Sequence, residues 1–151
     1  MWSELDNLSS TQEIERLNVT GPPGTGKSTV AWAWACFKSF GSGTKNAKSI
    51  LWVHLNQGNH SIHCCHFGFG TLRCYTKGSN QIQEALSGVN ADVLVVDGVT
   101  NKEYGLFSSA ASTWMIKDSS RRKVAFIMSA SVSIASHHLK AARIKHWRMP
   151  S

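Results

Sequence analysis

Acidic residues are scarce in this sequence: nine Asp and Glu stand against sixteen Lys and Arg, for a formal net charge of +7. The scarcity is uneven. From residue 117 onward Asp118 alone faces Lys117, Arg121, Arg122, Lys123, Lys140, Arg143, Lys145 and Arg148, so this end carries the whole net charge. A basic segment of this kind, spanning 117–148, can attract nucleic acid or another polyanion through counterion release. A solvated surface, or a face that a further segment covers, explains the same charge.

Other absences narrow the reading. No run approaches the roughly 20 apolar residues of a membrane span, so no membrane partner is expected. The opening "MWSELDNLSSTQEIER" has neither a basic n-region nor an apolar h-region, which argues against a secretory signal and for an intracellular setting. Without an export signal, Cys36, Cys64, Cys65 and Cys74 are expected as thiols rather than disulfides. There are no internal repeats. Hydrophobic residues at 42% and charged residues at 17% suit a globular core rather than a disordered chain, and 151 residues suit one domain.

What is present alternates between strand and helix patterns. Residues 1–13 read as a flexible polar leader, and 14–151 as the folded domain. "IERLNVT" (14–20) is a short strand that feeds a glycine-rich loop, and 27–40 form a helix with Val30, Ala31, Trp34, Ala35 and Phe37 as core candidates. "SILWVHL" (49–55) is a second strand. "SIHCCHF" and "TLRCYTK", around Gly68 and Gly70, predict a β-hairpin over 61–77. Ile82, Ala85, Leu86 and Val89 recur at helical spacing within 80–89. "ADVLVVDG" (91–98) is an apolar run ending in an acid, the pattern of a buried parallel strand. A helix over 101–116, a strand over 123–130, a helix near 132–142 and a strand over 143–149 complete the chain. The alternation predicts an α/β fold with a mainly parallel sheet.

The stretch "VTGPPGTGKSTVAWAWA" carries the chemistry. Gly21-Pro22-Pro23-Gly24-Thr25-Gly26-Lys27-Ser28 fits G-x-x-x-x-G-K-[ST] at every fixed position, between a strand and an apolar helix as the motif requires. Glycines allow a backbone whose N–H groups turn inward on phosphate oxygens, and the helix start adds its positive dipole end. Lys27 is expected to reach the β- and γ-phosphates, Ser28 to ligate Mg²⁺, and Thr29 to lie near the α-phosphate. A glycine-rich turn with a chance lysine is the plainer alternative.

A phosphate loop also needs an acid at the tip of a neighbouring strand for the metal. Asp97 closes Val93-Leu94-Val95-Val96 and has that position, although an Asp there can simply cap a turn. Many ATPases of this architecture place a water-polarising glutamate next; here Gly98 follows. Asp92 lies at the far end of the same strand, out of reach, and Glu103 is a candidate base, although an acid there is more often a solvated helix-start residue. Ser129 ends the strand "VAFIM", where it can sense the γ-phosphate or make a turn bond. Arg143 is a candidate arginine finger only if a neighbouring subunit presents it.

His54, His60, His63, Cys64, Cys65, His66 and Cys74 crowd one region, a composition that zinc accepts. There is no C-x₂₋₄-C pair, however, and on a strand His63 and Cys65 share one face while Cys64 and His66 take the other. A hairpin with small thiols and exposed imidazoles is the plainer account. Trp147, near the basic end, could stack on a base.

With "VTGPPGTGKSTVAWAWA", "SILWVHL", "VLVVDGV" and "KVAFIMSAS" in this order, residues 14–149 resemble the P-loop NTPase domain of Crinkler-type effectors of oomycetes and some fungi, related to retrotransposon hot spot proteins. The tryptophan-rich helix, the "ILWVHL" strand and "VDG" carry the resemblance. It implies a P-loop three-layer sandwich in which the Ser129 strand lies between the loop strand and the Asp97 strand. It also implies an NTPase acting with host proteins in a host cell, frequently in its nucleus, after secretion by a pathogen. The family's site roles transfer to Gly21, Gly24, Gly26, Lys27 and Ser28, with Asp97 for the metal. A translocation segment of the "LFLAK" kind is missing, so an excised or truncated domain is expected.

Together these readings predict Mg²⁺-dependent binding and slow hydrolysis of ATP or GTP, with Lys27, Asp97 and Ser129 as catalytic candidates and Thr25 and Thr29 in the binding loop. The alternative is a nucleotide-regulated interaction or DNA-binding module with negligible hydrolysis. No N-K-x-D motif selects guanine, and no arginine-rich lid suggests a kinase.

Overall fold

The computed structural model of the protein describes residues 1–10, 15–41, 47–68, 70–116, 123–129 and 144–148; of residues 8–10, 129 and 144–148 it describes the backbone alone. The elements are α1 (Trp2–Ser10), β1 (Arg16–Thr20), α2 (Lys27–Cys36), β2 (Ile50–Asn56), β3 (Ser61–Gly68), β4 (Thr71–Gly78), α3 (Ile82–Ser87), β5 (Val93–Val99), α4 (Asn101–Ile116), β6 (Val124–Ser129) and β7 (Ile144–Arg148). The helix expected near 132–142 lies outside the described residues.

One mixed, mostly parallel sheet runs in the order β4-β3-β2-β5-β6-β1-β7. β2, β5, β6, β1 and β7 are parallel neighbours, and β2-β3 and β3-β4 are antiparallel. The hairpin expected at 61–77 is therefore β3-β4, and it extends the sheet beyond β2 rather than standing apart from it. β6 lies between β5 and β1, the strand order that the resemblance implies.

Alternation along the strands sends side chains to two cores. On one face Leu51, Val53, Ile62, Leu94, Val96 and Ile127 pack against Leu86 of α3 and Phe107, Ala111 and Trp114 of α4. On the other, Val19, Ile50, Val95, Phe126 and Met128 pack against Leu5 of α1 and Ala31, Trp34 and Ala35 of α2. Helices thus cover both sides, which is compatible with a three-layer α/β fold. Each large side chain so buried contributes about 1.5–3 kcal/mol. No described helix is long and apolar enough to cross a membrane.

Two local expectations need correction. Residues 2–10 form a helix rather than a loose leader, because Leu5 is completely buried and Asp6 ties α1 to α2. The Asp6 carboxylate accepts from Trp34 Nε1 at 2.7 Å and pairs with Lys38 Nζ at 2.9 Å. Burial alone would raise its pKa, yet these bonds and the Lys38 charge hold it below the ordinary value. The second correction concerns the helix after the glycine loop. It passes at Phe37–Gly41 into a turn of π-helix, and Phe37, expected in the core, is 48% exposed.

Candidate functional site

β1 and β5 both end at the same edge of the sheet, and the glycine loop leaves β1 there. In the loop Gly24 and Gly26 have φ of 78° and 76°, in the left-handed region that favours glycine. Gly26 is the residue preceding α2, so the helix begins at Lys27 with its unpaired first N–H groups and positive dipole end turned towards the loop. A cleft of about 330 Å³ is lined by Pro23, Gly24, Thr25, Gly26, Lys27, Ser28, Thr29, Asp97, Gly98 and Met128. Residues 23–28 of the motif and the β5 acid therefore share one cavity.

Lys27 is buried, and its Nζ donates to Gly21 O at 2.8 Å, Pro22 O at 2.7 Å and Thr25 Oγ1 at 3.2 Å. Thr25 Oγ1 in turn donates to Pro22 O at 2.9 Å. Desolvation lowers the lysine pKa, while the nearby Asp97 charge acts the other way. Ser28 Oγ donates to Asp97 Oδ1 at 2.8 Å, joining the start of α2 to the tip of β5. Thr29 is exposed on the rim.

Asp97 is itself buried, and its second oxygen is engaged. His54, at the end of β2 and in register with Asp97, approaches Oδ2 through Nδ1 at 2.9 Å. A carboxylate only accepts, which assigns the proton to Nδ1 and leaves Nε2 of the half-exposed ring for other partners. Sequence reasoning missed this role by grouping His54 with the hairpin histidines. The parallel alignment of "ILWVH" with "VLVVD" was the available signal. Gln57 was missed as well: its Nε2 donates to Gly98 O at 3.1 Å.

The glycine at position 98 has a structural cause. Pairing of β5 with β6 shifts between Val96↔Ile127 and Val99↔Ser129, a bulge that sets two residues, Asp97 and Gly98, against Met128. Gly98 has φ of 80°, and a Cβ added there would meet the backbone oxygen of Leu55 at 2.9 Å. A glutamate cannot occupy this position without moving β2 or β5. The residue absent from the expected Asp-Glu pair is thus excluded by the backbone.

The remaining sequence candidates are dispersed. Glu103 accepts a hydrogen bond from Thr100 Oγ1 at the start of α4. Asp92 bonds Ser49 N at 2.9 Å, at the opposite end of β5 from the cleft. Ser129 pairs through its backbone with Thr20, the last residue before the loop. Arg143, Lys117, Arg121, Arg122 and Lys140 lie outside the described residues, and Trp147 is described by its backbone alone, paired with Val19. Lys123 is buried, with Nζ 4.7 Å from the centre of the Trp114 ring and 3.3 Å from Trp114 O, so it is withdrawn from any basic surface.

In the hairpin, His63 bonds Thr76 at 3.1 Å and His66 bonds Ser49 at 2.8 Å, while Cys64 points into the core. Among the described residues no three His, Cys, Asp or Glu side chains converge as a metal site. In comparisons with known proteins, no family model matches the chain and no curated protein matches it.

Proposed function

We propose that this chain is a P-loop domain that binds a nucleoside triphosphate with Mg²⁺ and hydrolyses it slowly. The observation that carries the reading is the convergence of Lys27, Ser28 and Asp97 on one cleft at the ends of β1 and β5, with the Ser28–Asp97 bond at 2.8 Å. The donor set fits magnesium, which takes oxygen ligands and keeps several waters, so one hydroxyl and one carboxylate suffice. Bound there, the ion would supply positive charge to the β- and γ-phosphate oxygens.

The chain's own groups divide the remaining work. Lys27, whose acceptors among the described residues are neutral oxygens, exchanges them for charged phosphate oxygens and stabilises charge developing on the transferred group. The loop amides and the start of α2 hold the triphosphate in line for attack by water. Water adds to the γ-phosphorus, the bond to the β–γ bridging oxygen breaks, and the nucleoside diphosphate departs. The water proton passes to phosphate or solvent, since position 98 offers no carboxylate. That absence suits slow turnover. It also supports a second reading, a nucleotide-regulated interaction module with negligible hydrolysis. A Crinkler-type setting would place either activity among host proteins in a host nucleus, and the order β5-β6-β1 agrees with that resemblance.

Phosphate release from ATP and GTP with Mg²⁺, compared between the wild type and Lys27→Ala, tests the proposal. The expected result is saturable release that falls about 10²-fold or more in the variant. Saturable nucleotide binding with no lysine-dependent release would select the interaction module. No binding of either nucleotide overturns both.

A further inference from the structure

The antiparallel register of β3 and β4 sets Cys65 directly opposite Cys74, and the two Sγ atoms lie 2.9 Å apart. This separation is inside ordinary van der Waals contact between sulfurs. Residues directly opposed in such a ladder have Cα atoms about 4.5–5.5 Å apart, within the roughly 4.4–6.8 Å that a disulfide spans. Both are free thiols. β4 is a terminal strand of the sheet order, and Cys74 is exposed on it, while Cys65 is partly covered. Of the other two thiols, Cys64 faces the opposite, α3-α4 core, and Cys36 ends α2, against the same core that Cys65 borders but not opposite it in the β3-β4 ladder.

We propose that Cys65 and Cys74 are a redox modification site, forming a reversible intramolecular disulfide with a low-molecular-mass disulfide such as oxidised glutathione as oxidant. The exposed Cys74 thiolate attacks one sulfur of the oxidant, forming a mixed disulfide and releasing one glutathione thiolate. Cys65 then loses its proton and attacks the Cys74 sulfur, which expels the second glutathione. Two protein thiols give up two protons and two electrons in all, and one glutathione disulfide becomes two glutathiones.

The order of attack follows from the surroundings. Burial first, and then the hydrogen bond and charge of Cys74 and the charge of Cys64, push the Cys65 thiol up to about 12. Cys65 is therefore a poor first nucleophile. Once Cys74 is held in the mixed disulfide its negative charge is gone, and the repulsion it exerted on a Cys65 thiolate goes with it. Contact distance then favours closure over escape. The bond would staple the terminal strand β4 to β3.

Incubation of the folded chain with oxidised glutathione, followed by peptide mapping and thiol counting, tests this. The expected product joins Cys65 to Cys74, retains no glutathione, leaves Cys36 and Cys64 as thiols, and returns to four thiols with dithiothreitol. Cys65→Ser should retain one glutathione on Cys74, because the resolving thiol is missing. Cys74→Ser, at an exposed position, should form no intramolecular link. Stable glutathione on Cys74 of the wild type overturns the proposal. So does a link through Cys36 or Cys64, or the persistence of four free thiols in the folded protein when a small dithiol in the same solution is oxidised.

Discussion

Ser28 Oγ and Asp97 Oδ1 lie 2.8 Å apart across 69 residues of sequence, and this hydrogen bond joins the glycine loop to the acid at the end of β5. Asp97→Asn keeps an acceptor for the serine but removes the charge on which the proposed magnesium site relies. Magnesium-dependent phosphate release should fall about 10²-fold in this variant, with the fold retained. Release at several Mg²⁺ concentrations, alongside circular dichroism, provides the check. An unchanged magnesium dependence would remove Asp97 from the site.

Gly98 combines a left-handed backbone with the close approach of Leu55 O. Gly98→Ala should destabilise the protein by about 1–3 kcal/mol through strain alone, read as a lower urea midpoint. Gly98→Glu should not accelerate phosphate release, because inserting the side chain displaces the strands that position Asp97. A faster Gly98→Glu enzyme would show that the missing base, and not the backbone, limits turnover.

His54 holds the second Asp97 oxygen at 2.9 Å. With Asp97 in the proposed metal role, a partner of this kind, acting through a ligand rather than on substrate, typically accounts for 10–100-fold in metal affinity or activity. His54→Ala should therefore raise the Mg²⁺ concentration for half-maximal activity by about tenfold, with a smaller change in nucleotide KM. His54→Asn, whose amide can donate to the same oxygen, should recover most of the loss. Equal effects of the two substitutions would reduce His54 to packing.

Cys64 predicts an alkaline limit to stability. Its burial, only partly offset by a bond to Tyr75 and the charge of Lys77, pushes the thiol from 9.0 to about 11. Between these values the folded chain keeps the proton and the unfolded chain has lost it. Stability therefore declines as pH rises from about 9 to about 11, and is unaffected by this group below that window. Urea midpoints at pH 8 and pH 10.5 should differ less in Cys64→Ala than in the wild type. Parallel declines would assign the alkaline loss to other groups.

Local pattern alone picked out the lysine, serine and acid that the structure brings to one cleft. "GPPGTGKS" between a strand and an apolar helix, and Asp97 after four buried aliphatics, are legible because glycine conformations and side-chain periodicity are properties of short segments. The hairpin at 61–77 was readable for the same reason. α1 was not: its polar surface conceals the fully buried Leu5, and the packing of Leu5 together with the bonds of Asp6 to Trp34 and Lys38 makes that segment structural.

The loop, its lysine and serine, the strand-end acid and the alternation that yields a mainly parallel sheet are all written in short segments. Tertiary structure decided what lies opposite what. The β2-β5 register brings His54 to Asp97, the β3-β4 register brings Cys65 to Cys74, and the bulge with Leu55 O makes position 98 a glycine. Each of these depends on a one-residue choice of strand pairing. A slip of one residue reverses every side chain, and no single segment specifies its partner's alignment.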